Sequence, residues 1–550
     1  MKILKFKFFG AIALLVLFVS SCQDLTEVNI NPNGIDPAVA HPNLIMPTII
    51  TNTALNYQSL GFGNISGVMQ HTQKDAWDSG HNDYDWNENS WGGYYSILRD
   101  TKFMYDKAVE SDLKFHQGVA LVMRSFVFGL LTDLWGDAPY TEALKSQEGK
   151  ENLKPAFDSQ EVIYNAIFAD LAEANTIFSG SDFKEVNDAA DVLFGGDAKM
   201  WQKFANSLAL RYYMRVSDKM PSIAENGIKT VSQLPLITSA DDDAAISYLG
   251  SNGNNSWPSN IPFNDNSAYL RINVCSVLTE KLEDLNDSRI AVFANQVETP
   301  IVISDDYVAD GPDVLVDGIR YITNAEFAAK NYKLKVHGEN LTKDDLDNYI
   351  IVDTNPSQYV GQPPSIGSQA NWYNLNPAPV QGGNNVHVSK LNSIFAEPSG
   401  DLLKMRLMTA AEVNFILAEA ALKGWGGVAK DYYEAGVTAS FETWTADITG
   451  YLSGPAAYDG TLAQIIEQKW IAGWTVATES WFDWRRTGLP AIQAGPLARR
   501  DNLPLRFYYG SDEENLNSDN YLSAVSDLQP TADNKEDDND SAWSKMWLLQ

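Results

Sequence analysis

Apolar residues recur at three- and four-residue steps toward both ends of this chain and lose that period in the middle, a pattern that narrows the possible folds more than any other. His116 to Trp135 carries Val119, Val122, Phe126, Leu130 and Leu134 on one stripe, and Asp158-Ser159-Gln160-Glu161 reads as a capping box opening a helix that buries Ile163, Ile167 and Leu171. Asp197 to Val216 repeats the pattern with Trp201, Phe204, Leu208 and Tyr212. Between about 230 and 400 the period dissolves into clusters such as SNGNNSWPSN and NWYNLNPAPVQGGNN, with short β-like runs such as Tyr349-Ile350-Ile351-Val352. Helices return at Thr409-Ala410-Ala411-Glu412, a second capping box followed by Val413, Ile416, Leu417 and Ala420. A partner follows around Tyr432, Ala435 and Ala439, and another helix opens at Thr461 with Ile465, Ile466 and Trp470.

Helix, glycine turn and helix, with small residues such as Ala418 and Ala435 at close approaches, follows the logic of tetratricopeptide pairs. Each half alone would leave an apolar face open. The expected fold is therefore mostly α: one domain over 41–550, with a helical-pair scaffold at about 41–220 and 401–490 and a loop-rich insertion at about 221–400.

The first 21 residues read as a signal peptide, with Lys2, Lys5 and Lys7 before an apolar run from Phe8 to Val19 that is too short for a permanent span. Val19-Ser20-Ser21-Cys22 resembles a bacterial lipobox, which makes Cys22 the expected lipidation site and residues 22–40 a polar tether. Cys275 is then left without a partner for an internal disulfide, so packing must supply stability. With Asp+Glu 71 against Lys+Arg 40 the net charge is -31, which argues against nucleic acid, since a phosphate backbone requires a basic surface.

The segments DLWGDAPYTEAL (133–144), GGDAKMWQKFANSLALRYYMR (195–215), MTAAEVNFILAEAALKGW (408–425) and QKWIAGWTVATESWFDWRRTGLP (468–490) resemble signature stretches of the SusD/RagB family of nutrient-binding outer-membrane lipoproteins. The resemblance implies tetratricopeptide-like pairs, a loop-rich binding face and a SusC-like TonB-dependent transporter as partner. It also implies an outer-membrane location, lipid-anchored and facing the exterior, to which acidic Asp24 and Glu27 are similar in their placement. Two departures stand out: Asn286-Asp287-Ser288-Arg289 where the family often has Asn-Asp-Pro-Arg, and Tyr509-Gly510 where a proline is usual. Trp135, Trp201, Arg211, Arg485 and Arg486 read as scaffold, with arginines paired to carboxylates such as Asp483.

A site for sugars needs flat aromatic platforms rimmed by amides and carboxylates. Three loop stretches offer them, and they supply the expected ligand residues Trp77, Asn82, Tyr84 and Trp86, then Trp257, then Trp372 and Tyr373. Trp91, Tyr94 and Tyr95 fall at helical spacing and are assigned to the core. His71 and His81 near Asp75, Asp78, Asp83 and Asp85 match no metal-ligand spacing, and no cofactor is called for. The acidic runs Asp241-Asp242-Asp243 and Glu536-Asp537-Asp538-Asn539-Asp540 lack the spacing of a calcium loop and read as solvated. The function this supports is capture of an oligosaccharide or polysaccharide, such as starch, for delivery to the transporter. Peptide capture by the same kind of system is the alternative, with a surface glycosidase or a pure protein-binding scaffold behind it. No nucleophile motif supports an enzyme.

Overall fold

The computed structural model describes residues 40–86 and 88–550; the signal segment, Cys22 and the tether as far as residue 39 lie outside the described residues. In the first half the principal helices are α1 (Met46–Phe62), α2 (Gly92–Glu110), α3 (Lys114–Trp135), α4 (Gln160–Phe178), α5 (Ala198–Arg215) and α6 (Pro221–Val231). Those of the second half are α7 (Ala410–Leu422), α8 (Ala429–Thr443), α9 (Leu462–Ala472) and α10 (Thr478–Thr487).

Several of them begin where a side chain takes up the first free N–H groups. Asp197 accepts from the amides of Lys199 and Met200, Thr409 from Glu412 and Thr461 from Gln464. The capping boxes expected at 158–161 and 409–412 form only in part. Ser159, not Asp158, caps α4, while Asp158 accepts from the amides of Tyr140 and Thr141. At α7, Glu412 turns away from its own helix and accepts both arms of Arg211 at 2.7 Å, because a buried guanidinium needs a carboxylate more than an exposed amide does.

Consecutive helices from α2 to α6 pack against one another in sequence order, as do α7 and α8, and α9 lies against α7. Helix α5 meets α7 and joins the two halves. Where they approach most closely the residue is glycine. A Cβ on Gly129 of α3 would fall 2.1 Å from the hydroxyl of Tyr212, and one on Gly436 of α8 would fall 2.9 Å from the Phe415 ring. Ala418 is buried as expected, but Ala435 is exposed, and Gly436 beside it makes the contact instead. Helix α3 is long and apolar enough to cross a membrane, yet it lies buried in the core.

One continuous apolar core runs from Met46 to Leu548 and draws on both halves. Buried ion pairs cross it. Arg215 pairs with Glu479, Lys469 with Asp483 at 2.8 Å, and Arg486 with Glu419 at 2.5 Å and with Asp483 at 3.3 Å. In the departing Asn-Asp-Ser-Arg stretch, Asp287 and Arg289 form a fully buried pair that also bonds Ser440 and Gln468, while Ser288 donates to the Asp447 carbonyl. The proline is dispensable because these bonds fix the turn.

The insertion is tied together by short strands. Thr72–Lys74 runs antiparallel to Ile272–Val274, Ala244–Ser247 runs antiparallel to Lys404–Met408, and Ile350–Val352 lies parallel to Tyr332–Leu334. A three-stranded sheet places Ile319–Ile322 between Ile301–Ile303 and Asp313–Val316. The scaffold extends past residue 220 through α6, and the chain end returns to α3, where Phe507 donates to the Leu134 carbonyl and Trp135 to that of Tyr508. The acidic runs are only partly solvated. Asp243 accepts from the amide of Ala410 at the start of α7, and Asp540 pairs with the fully buried Arg506 at 2.5 Å.

Candidate functional site

The early loop after Thr72–Lys74 and the insertion loop 362–376 form one surface. Asn82 clamps the strand end, accepting from the Lys74 amide at 2.9 Å and donating to the Lys74 carbonyl at 2.7 Å, and Gln362 donates to that same carbonyl. Ser365 takes Gln73 and the Asn82 carbonyl as partners, and Asp78 accepts from the Ser368 amide at 2.5 Å. Gly367 must be glycine there: its φ is +52°, and a Cβ would fall 2.4 Å from the Asp78 carboxylate. These bonds bring the loop that carries Trp77 against the loop that carries Trp372.

Five of the seven expected ligand residues face inward, and their assignment to a ligand face is corrected accordingly. Trp257 is fully buried, ringed by Phe62, Tyr248 and Phe395 at centroid distances of 4.8, 5.9 and 5.5 Å, with its indole N–H on Ser259. Trp86 meets Trp481 and Phe507 edge-on and donates to the Gly80 carbonyl. Tyr84 is buried beneath the loop and burial pushes its hydroxyl up to about 12. Tyr373 donates to the Gly361 carbonyl, and Asn82 is the clamp described above. The physical reason is common to all five: a long loop excursion must satisfy its own backbone and bury its own rings, so its aromatics and amides serve as internal plugs before they can serve a ligand.

Trp372 and Trp77 remain open. Trp372 is 61% exposed while Tyr373 points inward, because the next turn is pinned by Asn374, which accepts from the Asp353 amide and donates to the His387 carbonyl. Beside Trp372 lies a shallow hollow shared with Leu346, Ile350, Gln369 and Tyr349, and Tyr349 is 40% exposed. The sequence marks Tyr349 only as part of a β-like run; its place just before the strand, beside an exposed tryptophan, depends on a long-range contact that no local period encodes. Trp77 is half-buried, with the Lys74 ammonium 5.0 Å and the Arg271 guanidinium 5.5 Å from its ring.

The two histidines hold no metal set. His71 bonds the Trp470 carbonyl and burial lowers it to about 3; His81 bonds Thr72. Among the described residues no three His, Cys, Asp or Glu side chains gather as metal ligands. Larger hollows lie elsewhere, including one of about 500 Å³ among Trp91, Tyr95, Leu153 and Glu513, but none of the expected ligand residues lines them.

A family profile described as starch-binding, associating with the outer membrane, matches residues 33–307 and 349–510. The chain belongs to this SusD-like family. Its role is accordingly nutrient binding at the outer membrane. Similar solved structures include a SusD homologue from Bacteroides fragilis at 20% identity and TM-score 0.69, covering 93% of this chain and 100% of that one. An outer-membrane protein from Bacteroides vulgatus, described in terms of nutrient binding, is similar at 25% identity and TM-score 0.68, again covering 93% and 100%. A chitin-binding SusD homologue from Flavobacterium johnsoniae is similar at 20% identity and TM-score 0.65, covering 92% and 98%. Among curated proteins none matches the chain.

Proposed function

We propose that this protein captures a glycan on the surface formed by the early loop and the insertion loop, and passes it to a SusC-like TonB-dependent transporter while tethered to the outer face of the outer membrane by lipid on Cys22. The observation that carries the reading is the outward Trp372 with Tyr349 beside it, while the adjacent Tyr373 turns inward. Large exposed rings cost free energy unless something covers them, and the C–H faces of sugars suit them. Neighbouring Gln369 and Asn371 offer amides for sugar hydroxyls, and Asn371 has a buried oxygen without a partner. The family's description as starch-binding and the chitin-binding relative support a glycan over a peptide. They also support binding over catalysis.

The test is calorimetric titration of maltooligosaccharides, chitooligosaccharides and acidic oligosaccharides into wild type, Trp77→Ala and Trp372→Ala. Losing the better platform should weaken binding by at least about 2 kcal/mol, roughly thirtyfold. Wild-type affinity in both variants would refute the site.

A further inference from the structure

Strand pairing places two cations side by side under the open edge of the early loop. Lys74 ends one strand opposite Ile272, and Asp75 donates its amide to the Arg271 carbonyl at 2.7 Å, so Lys74 and Arg271 become neighbours and both reach Trp77. Among the described residues neither has a carboxylate within ion-pairing distance, although acids outnumber bases 71 to 40 along the chain. Lys390 stands behind them, held by the Leu270 carbonyl and Asn273. Like charges so close repel, and a chain with surplus carboxylates could have neutralised them at little cost.

Nearby acids compensate these cations only at a distance: Asp75 and Asp265 lie close enough to Arg271 to feel its charge but make no ion-pair contact with it. Asp78 is engaged by the Ser368 amide, and Asp265 by Ser267 and the Ala268 amide. Asp75 is 2% exposed and keeps one carboxylate oxygen without a partner, while the Arg271 Nε is likewise buried and unpartnered. A buried acceptor and a buried donor left open in the same place are satisfied together by a ligand that carries both a hydroxyl and an anion.

We propose that the Trp77 end of the site is an anion subsite, in which Lys74 and Arg271 receive the carboxylate or sulfate of an acidic oligosaccharide while Asp75 accepts one of its hydroxyls; this rests on the glycan reading above and names its chemical class. The guanidinium supplies paired N–H donors for a planar carboxylate or a sulfate face, and the ammonium supplies a point charge beside it. Trp77 fixes both cations and presents the remaining ring surface to the sugar. With a net charge of -31 the chain offers an anionic ligand little attraction elsewhere, so the electrostatic part of binding is concentrated at this subsite.

The experiment titrates the full mature chain with a galacturonic-acid oligomer, a sulfated galactan oligomer and a neutral maltooligosaccharide at low and high salt. One or both acidic oligomers should bind more tightly than the neutral one. Their affinity should fall roughly tenfold or more between about 0.05 M and about 1 M salt, as the screening length shrinks to about 3 Å. Lys74→Gln and Arg271→Gln should each abolish most of that salt dependence at unchanged melting temperature, and Arg271→Lys should retain part of the affinity. Binding by the uronate alone or the sulfate alone identifies which anion is read. Neutral binding that is lost in Trp77→Ala but unmoved by salt, Lys74→Gln or Arg271→Gln keeps the nutrient site and overturns the anion subsite. Failure of both acidic oligomers to bind overturns it too.

Discussion

Trp201 and Trp372 carry the same side chain under opposite demands. Trp201 is fully buried between Phe178 and Phe194, with its indole N–H on Asp191 at 2.7 Å, whereas Trp372 stands 61% exposed. Trp201→Ala should therefore lower stability by about 3–5 kcal/mol, and Trp372→Ala should leave the melting temperature nearly unchanged. Trp257→Ala should follow Trp201, since its surroundings are core; a Trp257→Ala protein that melts like wild type would contradict that placement. The sequence separates the first two correctly because Trp201 lies on a helical stripe. It misplaces Trp257, Tyr84, Trp86, Tyr373 and Asn82 because a loop has no period: whether such a ring plugs the core or meets solvent is set by distant partners such as Phe62 and Phe395 for Trp257.

Among elements, α3, α4, α5, α7 and α9 were legible from 3.6-residue periodicity and cap residues, with the ends that were read falling within a turn, whereas α1, α6 and α10 were not delimited. What periodicity could not supply were the joints between halves. Glu412 looks like half of a capping box until Arg211, two hundred residues away in sequence, claims it. Asp243, read as part of a solvated run, sits at the junction of α7 and α8, accepting from the Ala410 amide and the Thr443 hydroxyl. Burial pushes its carboxyl up to about 7, against the partial relief from the Ala410 amide, Arg406, Thr443 and Lys404. The folded state then holds a proton that the unfolded chain has released above its ordinary carboxylate range. The stability this gives is complete below about pH 4 and is lost as pH rises through about 7. Asp137 and Asp353, each pushed up to about 6 chiefly by burial, act in the same direction. Glu479 and Asp483, held low by Arg211 and Lys469 respectively, act in the opposite sense but only at more acid pH. Thermal melts should show Asp243→Asn gaining on wild type as pH rises from about 5 to about 8. A constant offset across that range would contradict the account.

At the scale of the whole molecule, two helical halves enclose one core and hold up a loop surface from which Trp372, Tyr349 and Trp77 emerge. The described core begins at Met46, so with the proposed lipid on Cys22, Cys22→Ala should abolish acylation and release a folded protein from the membrane fraction of cells lacking the transporter. Unchanged retention there would exclude the lipid anchor. Glycan capture is placed on the joined early and insertion loops and not in the larger hollow near Trp91 and Glu513. Hydrogen exchange with and without a saturating oligosaccharide tests it most directly, since binding slows exchange where backbone amides are covered or held. New protection is expected in segments 72–86 and 346–376, with the Trp91 and Glu513 segments unchanged. Protection confined to the latter, with the two loops unaffected, would contradict it.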